Sequence, residues 1–405
     1  MTVTVVGLDG ARPDPRAEAA LAEARLVVGG RRHLDMVEGL VPDDAERLEL
    51  GGELTGALTH VAFGTRPAVV LASGDPGFFG VLRALRAILR RAGDEAAPVV
   101  IPAVSSVAAV FARAGLSWDD AVIVSAHGRD PAPAVNVCRR HPKVAVLTEP
   151  GFGPAELAAA LAGLDRRLIV GELLGLDDEQ VTELDVDEAA GRSWADPNVV
   201  IVTSPGHQPV RGWASPARRT PARWALDDGA FAHRDGMVTK AEVRALALAW
   251  LGPGLGDLVW DVGAGSGSVA VECARLGAAV MAVERDDDQC LRIRDNAERH
   301  DAPVAIVHGE APVVLARLPD PDAVFVGGGG DALEEIVKVA AARARRVVVV
   351  GLATIERVDP ARRVLEAAGL EVGGTMLSAA RLAPLAGGHR LAAANPVILL
   401  GGWRP

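Results

Sequence analysis

The chain has 405 residues, 49% of them hydrophobic, and a net charge of -11. That length predicts two or three domains with sizeable cores, built mostly from Ala, Val and Leu because aromatics are only 3% and Tyr is absent. The acidic balance argues against DNA or RNA as the main partner, since phosphate backbones need a basic surface, but it allows a small anionic substrate held by local arginines.

The opening "MTVTVVGLDG" lacks the basic stretch of a secretory signal and reads as a first β-strand. No apolar run is long enough to span a bilayer, so a cytoplasmic protein without a membrane partner is expected. Further strand candidates follow in "RLVVG", "AVVLA", "PVVIP", "AVIVS", "KVAVL", "RLIVG" and "NVVIV". Helical patterns such as "GVLRALRAILRRAG" and "ELAAALAGL" lie between them, which predicts α/β architecture with mostly parallel strands. Residues 206–225, rich in Pro, Gly and Arg, read as a linker between a domain at 1–205 and one at 226–405. A second α/β rhythm then runs through "DLVWDV", "AAVMAVE", "VAIVHG", "AVFVG" and "RRVVVVG". The three cysteines, Cys138, Cys273 and Cys290, form no C-x-x-C pair, so no disulfide framework and no metal site is expected.

In the second half, "DVGAGSGSVAVECARLG" is a strand, a Gly-rich turn and a helix. A helix N-terminus behind bare glycine backbone suits a nucleotide-like ligand. The dinucleotide fingerprint asks for G-x-G-x-x-G/A, whereas here the third glycine, Gly267, comes one residue early and Ser268 occupies the last position. Glu284 ends the next strand, where a carboxylate can accept ribose hydroxyls; NAD enzymes also place an acid there. "HGEAP" follows the third strand, with Gly309, Glu310 and Ala311.

The D-x-G-x-G-x-G order resembles motif I of class I S-adenosylmethionine-dependent methyltransferases. That resemblance implies a Rossmann-like fold and a cofactor site at Thr239, Asp261, Gly263, Gly265, Gly267, Glu284, Gly309, Glu310 and Ala311, with Asp261 orienting the cofactor's ammonium group. Glu310 departs from the family's usual G-D-A. Together with "VTKAEVR" and "VFVGGGG", residues 226–350 resemble the C-terminal part of the decarboxylating precorrin-6Y methyltransferases of the cobalamin pathway. The Asn/Asp-Pro-Pro-aromatic motif of many nucleic-acid methylating enzymes is missing from "AVFVGGGGD". Thr239 and Glu242 also fit a capping box at a helix start.

The first half tests this independently. "VVLASGDPGFFG" and "IPAVSSVAAVFARAG" resemble the tetrapyrrole methyltransferases, a fold of two α/β subdomains, which implies cofactor contacts from Gly74, Asp75, Ser105 and Ser106. The physical reading beside it is that Asp75 and Pro76 start a helix and that the serines cap one. "VVGLDG" departs from the family's G-x-G-x-G, with Asp9 in place of a small residue.

The joint resemblance implies two S-adenosyl-L-methionine sites, one per half. The N-terminal half would methylate a tetrapyrrole, precorrin-6B, at C5. The C-terminal half would methylate C15 and decarboxylate the C12 acetate, giving precorrin-8X. The alternatives are a second half acting on another substrate, or one non-catalytic half. His33, Arg129 and Arg381 are candidates for catalytic roles, and Arg31, Arg32, Arg129, Arg381 and Arg390 for binding substrate carboxylates. His127 is a candidate hydrogen-bond donor. A homo-oligomer is expected.

Overall fold

The strands alternate faces with period two, and in the central ones both faces are apolar. In "VVVV" at 347–350, Val347 and Val349 join one core while Val348 and Val350 join another. Strands buried on both sides in this way belong in parallel sheets covered by helices. The computed structural model describes residues 3–50, 54–93, 97–207, 223–234 and 236–405. It divides into two compact units, Met1–Pro131 with Pro142–Ala217, and Ala132–His141 with Arg218–Pro405. Most of the expected linker, 208–222, lies outside the described residues. Among the described residues, no helix is long and apolar enough to cross a membrane.

The first unit has two sheets. Strands β1 (Val3–Leu8), β2 (Leu26–Gly29), β3 (Glu46–Glu49), β4 (Ala68–Ser73) and β5 (Val99–Ile101) form an all-parallel sheet in the order β3-β2-β4-β1-β5. Strands β6 (Val122–Ser125), β7 (Lys143–Leu147), β8 (Arg167–Glu172), β9 (Gln180–Asp185) and β10 (Asn198–Thr203) form the other, in the order β6-β7-β10-β8-β9. Only β6 and β7 pair in parallel there; the remaining pairings are antiparallel, against the expectation of mostly parallel strands. The reason lies in the connections: β8 and β9 are joined by a short turn at 173–179, too short for a helical crossover.

In the second unit, strands β11 (Leu258–Val262), β12 (Ala279–Glu284), β13 (Ala305–His308), β14 (Ala323–Val326), β15 (Val347–Leu352), β16 (Glu371–Leu377), β17 (Ala380–Leu385), β18 (Gly388–Ala393) and β19 (Val397–Trp403) follow. Seven of them form one sheet in the order β13-β12-β11-β14-β15-β19-β16, and β17 with β18 makes a separate hairpin. Strand β19 is antiparallel to both its neighbours. Its insertion between β15 and β16 departs from the six-stranded order of doubly wound dinucleotide folds. The segment Ala132–His141 belongs to this unit: Asn136 Nδ2 donates to the Gly256 carbonyl at 3.0 Å and Arg140 Nε to that of Ala274 at 2.9 Å.

One buried ion pair tests the stability of the second sheet. Lys143 Nζ lies 2.6 Å from Asp120 Oδ1 and also donates to the Ser117 carbonyl, while His207 Nε2 is 2.9 Å from Asp120 Oδ2. Burial alone would raise the Asp120 carboxyl, but hydrogen bonds from Lys143 and His207 outweigh it and hold the group below its ordinary value. Lys143→Met leaves this carboxylate buried without its cation and should cost about 3–5 kcal/mol in urea unfolding, with Asp120→Asn in the same chain recovering part of the loss.

Candidate functional sites

The carboxyl ends of β1, β2 and β4 open onto a cavity of about 930 Å³, closed on its other side by the ends of β6, β7 and β8 and the start of β10. Strand ends of this kind leave backbone groups free to meet a ligand. Gly74 follows β4 in the left-handed conformation, φ 56°, and a Cβ there would lie 2.8 Å from Ser105 Cα and 2.9 Å from the Val104 carbonyl oxygen. Only glycine lets the β4 and β5 loops close on each other.

Asp75 does not cap a helix as the "SGDP" pattern suggested. Its Oδ1 accepts the Gly77 N–H at 2.8 Å, an Asx turn, and the helix starts only at Leu82. Ser105 is a cap: its Oγ accepts the Ala108 N–H at 3.1 Å, and Ser106 opens the helix Ser106–Ala114. Gly74, Asp75, Ser105 and Ser106 all line the cavity. Asp9, which breaks the glycine pattern, also lines it and ties two loops together, accepting the N–H of Ala11 through Oδ1 and of Val104 through Oδ2, each at 3.2 Å.

His33 lines the same cavity, with Ser73 Oγ 3.0 Å and Arg32 Nη2 3.3 Å from its Nε2. Burial, and then the charge of Arg32, lower the imidazole to about 4, so it is neutral near pH 7 and its Nε2 accepts. Ser73 carried no signal in the sequence, because a serine at a strand end is unremarkable until the fold sets it beside the histidine. His127 reaches the cavity, its Nδ1 3.3 Å from the Thr148 carbonyl oxygen. Arg129 is exposed and stacks over Phe79, 5.7 Å from the ring centre. Phe79, a cavity residue with φ 54°, also meets Phe78 edge-on at 5.1 Å; sequence reasoning missed both rings.

In the second unit, Gly263, Gly265 and Gly267 all take positive φ, 69°, 55° and 73°. A Cβ on Gly263 would lie 2.8 Å from the Gly328 carbonyl oxygen, so the "GAGSG" loop after β11 packs bare backbone on "GGGG" after β14. Gly265 has open space at its Cβ position, a cradle of backbone facing no protein atom. Glu284, at the end of β12, accepts the Gly265 N–H through Oε2 at 2.8 Å, and the Arg285 and Asp286 N–H groups through Oε1 at 2.8 and 3.0 Å. A carboxylate offers about four acceptor sites, so one remains for a ligand hydroxyl while the loop bond stands. Gly309 donates to the Glu284 carbonyl at 2.9 Å; Glu310 is exposed and pairs with Arg285 at 3.1 Å; Ala311 packs on the second core.

Asp261 is buried in β11, and its Oδ2 accepts the Ala270 N–H at 2.9 Å, fastening the strand to the helix Ser268–Arg275. Two other expectations fail on tertiary contacts. The capping box at Thr239 does not form: Lys240 occupies the cap position without a side-chain bond, and the Ala241 N–H goes to Asp228 Oδ1 at 2.9 Å instead. Glu242 is taken by Arg381, whose fork spans Glu242 at 2.5 and 2.8 Å and Asp228 at 2.7 Å. Arg381 therefore already holds two carboxylates. Its hydrogen bond pulls the Glu242 carboxyl down to about 2. Arg31 and Arg390 are exposed.

The Asp261 carboxyl is pushed up to about 7 by burial, which the Ala270 N–H opposes and the nearby Glu284 charge reinforces. The folded state thus holds this proton more tightly than the unfolded chain. The stability it contributes is present in acid and is lost as pH rises from 3.8 to about 7. Asp261→Asn stays neutral, so its urea midpoint should gain on that of the wild type across this window; parallel curves would show that Asp261 does not titrate there.

Known proteins match both units in order. Residues 15–190 match the model of the tetrapyrrole (corrin/porphyrin) methylases, and residues 229–402 that of the precorrin methyltransferase domain. A precorrin-6Y C(5,15)-methyltransferase (decarboxylating) of Sinorhizobium sp is 38% identical over 82% of this chain and 78% of its own. A probable cobalt-precorrin-6B C(15)-methyltransferase (decarboxylating) of Pyrobaculum calidifontis is 37% identical over 43% of this chain and 93% of its own. A cobalt-precorrin-7 C(5)-methyltransferase of Salmonella typhimurium is 33% identical over 45% of this chain and 90% of its own. With the longest of these alignments running through most of both chains, this chain belongs to the family of decarboxylating precorrin-6Y C(5,15)-methyltransferases.

Proposed function

We propose that each unit is a separate methyl-transfer site with its own S-adenosyl-L-methionine, working on one tetrapyrrole in the cytoplasm. The first unit methylates C5 of the macrocycle; the second methylates C15 and decarboxylates the C12 acetate, whose carboxyl carbon leaves as CO2 while its methylene takes up a proton to become a methyl group, taking precorrin-6B to precorrin-8X. The observation that carries this is the pair of unlike glycine-lined loop systems, at Gly74 and at Gly263–Gly267, each at the carboxyl ends of parallel strands in a different sheet. The division of labour is supported by the C(15) and C(5) relatives, each matched over about nine-tenths of its length by less than half of this chain.

When bound, the cofactor supplies an electrophilic methyl group on a sulfonium. The residues present fit it. Gly265 offers open backbone, and Glu284 keeps an acceptor site for a ribose hydroxyl. In the first unit, Gly74, Asp75, Ser105 and Ser106 border one wall of the cavity. Methyl transfer to carbon is an in-line displacement that needs alignment more than acid–base help. The electron-rich bridging carbons of a reduced macrocycle attack directly. The neutral His33 accordingly holds a hydrogen bond and donates no proton near pH 7. Decarboxylation needs an electron sink, which the protonated ring system provides. The reading includes a homo-oligomer, supported by exposed Leu382, Leu385 and Leu391 on the β17–β18 hairpin and checked by sedimentation.

The test is product mass. Asp75→Ala removes the Asx turn and should cut C5 methylation on the order of 100-fold, leaving C15 methylation and CO2 loss intact. Gly265→Val should do the reverse. If both variants still added two methyl groups and released CO2, the two-site reading would be wrong.

A further inference from the structure

The cavity wall of the first unit carries a cation with no counterion among the described residues. Arg32, in the helix Arg31–Met36, is half-buried, and burial lowers the basicity of its guanidinium. Its Nη2 donates to Ser73 Oγ and to His33 Nε2, each at 3.3 Å. Both partners are neutral. Among the described residues no carboxylate lies within ion-pairing distance of it. The other guanidinium on the lining, Arg113, is already engaged by Glu179 at 2.7 Å.

A desolvated, unpaired cation is costly, and a ligand anion removes the cost. His33 and Ser73 occupy only Nη2, so the Nε and Nη1 N–H groups, on separate edges of the guanidinium, have no protein acceptor among the described residues. A carboxylate oxygen accepting from Nη1 would supply the missing charge. We propose that Arg32 is the receptor for a side-chain carboxylate of the tetrapyrrole, and that His33 and Ser73 are positioning residues that aim its guanidinium into the cavity. The inference rests on reading the cavity as the tetrapyrrole site. A carboxylate also occurs on the methionyl end of the methyl donor. The macrocycle is favoured because it carries several carboxylates, and because the donor contacts that the resemblance implies, Gly74, Asp75, Ser105 and Ser106, do not include Arg32.

The test uses the full chain and follows both methylations at once, so that the S-adenosylmethionine KM of the C5 step reports on the fold of the first unit and C15 methylation on that of the second. Arg32→Ala should raise KM for the tetrapyrrole in the C5 step by ~10-fold or more, with KM for S-adenosylmethionine and the C15 step unchanged. Arg32→Lys should restore part of this, since an ammonium keeps the charge and loses the guanidinium's fixed N–H directions. His33→Ala and Ser73→Ala should raise the same KM in the wild type and add nothing in the Arg32→Ala background. A substrate analogue with its carboxylates converted one at a time to amides should lose affinity for the wild type at one position, and Arg32→Ala should not discriminate there. An unchanged tetrapyrrole KM in Arg32→Ala would overturn the proposal. A raised S-adenosylmethionine KM instead would give the carboxylate to the methyl donor and overturn it too. No C5 methylation by the wild type would sink the functional reading itself, a result separable from the others.

Discussion

In both units a single carboxylate gathers backbone N–H groups from the loops at the ends of parallel strands. Asp9 takes those of Ala11 and Val104, joining the loop after β1 to the loop after β5. Glu284 takes those of Gly265, Arg285 and Asp286, joining the loop after β11 to the end of β12. Strand ends leave such donors without ladder partners. The acid satisfies them and fixes the loops, while glycines keep side chains out of the space between. Each candidate site is what remains when those loops are held open: a cavity in the first unit and a backbone cradle at Gly265 in the second.

Much of this was legible from sequence because buried parallel strands leave plain marks. Every apolar run singled out in either half became a strand, most of them Val- and Ala-rich segments buried on both faces. The strands that escaped notice are polar or glycine-bearing. Strand β3 is "ERLE" and β9 is "QVTELD", edge strands that hide little apolar surface, and β16 to β18 are largely exposed. The antiparallel pairing of the second sheet depends on connection length, which an alternating rhythm of strands and helices does not report.

The sites were legible in their glycines and less so in their acids and bases. Gly74 and Gly263 are forced by close backbone approach, a constraint written locally. The capping box at Thr239 and Glu242 was misread because the partners are distant in sequence: Asp228 supplies the cap, and Glu242 pairs with Arg381, 139 residues away. Asp9 looked like damage to a motif and is a tie between loops. The Arg32–His33–Ser73 group spans two strand ends, 41 residues apart for Arg32 and Ser73, so no window of sequence contains it.

The central claim is that one chain holds two independent methyl-donor sites. Equilibrium dialysis of the full chain with labelled S-adenosylmethionine tests it directly. The account predicts two molecules bound per chain, falling to one in Gly74→Val and to one in Gly263→Val. A stoichiometry of one in the wild type, or loss of all binding in either variant while the other unit remains folded, would contradict it.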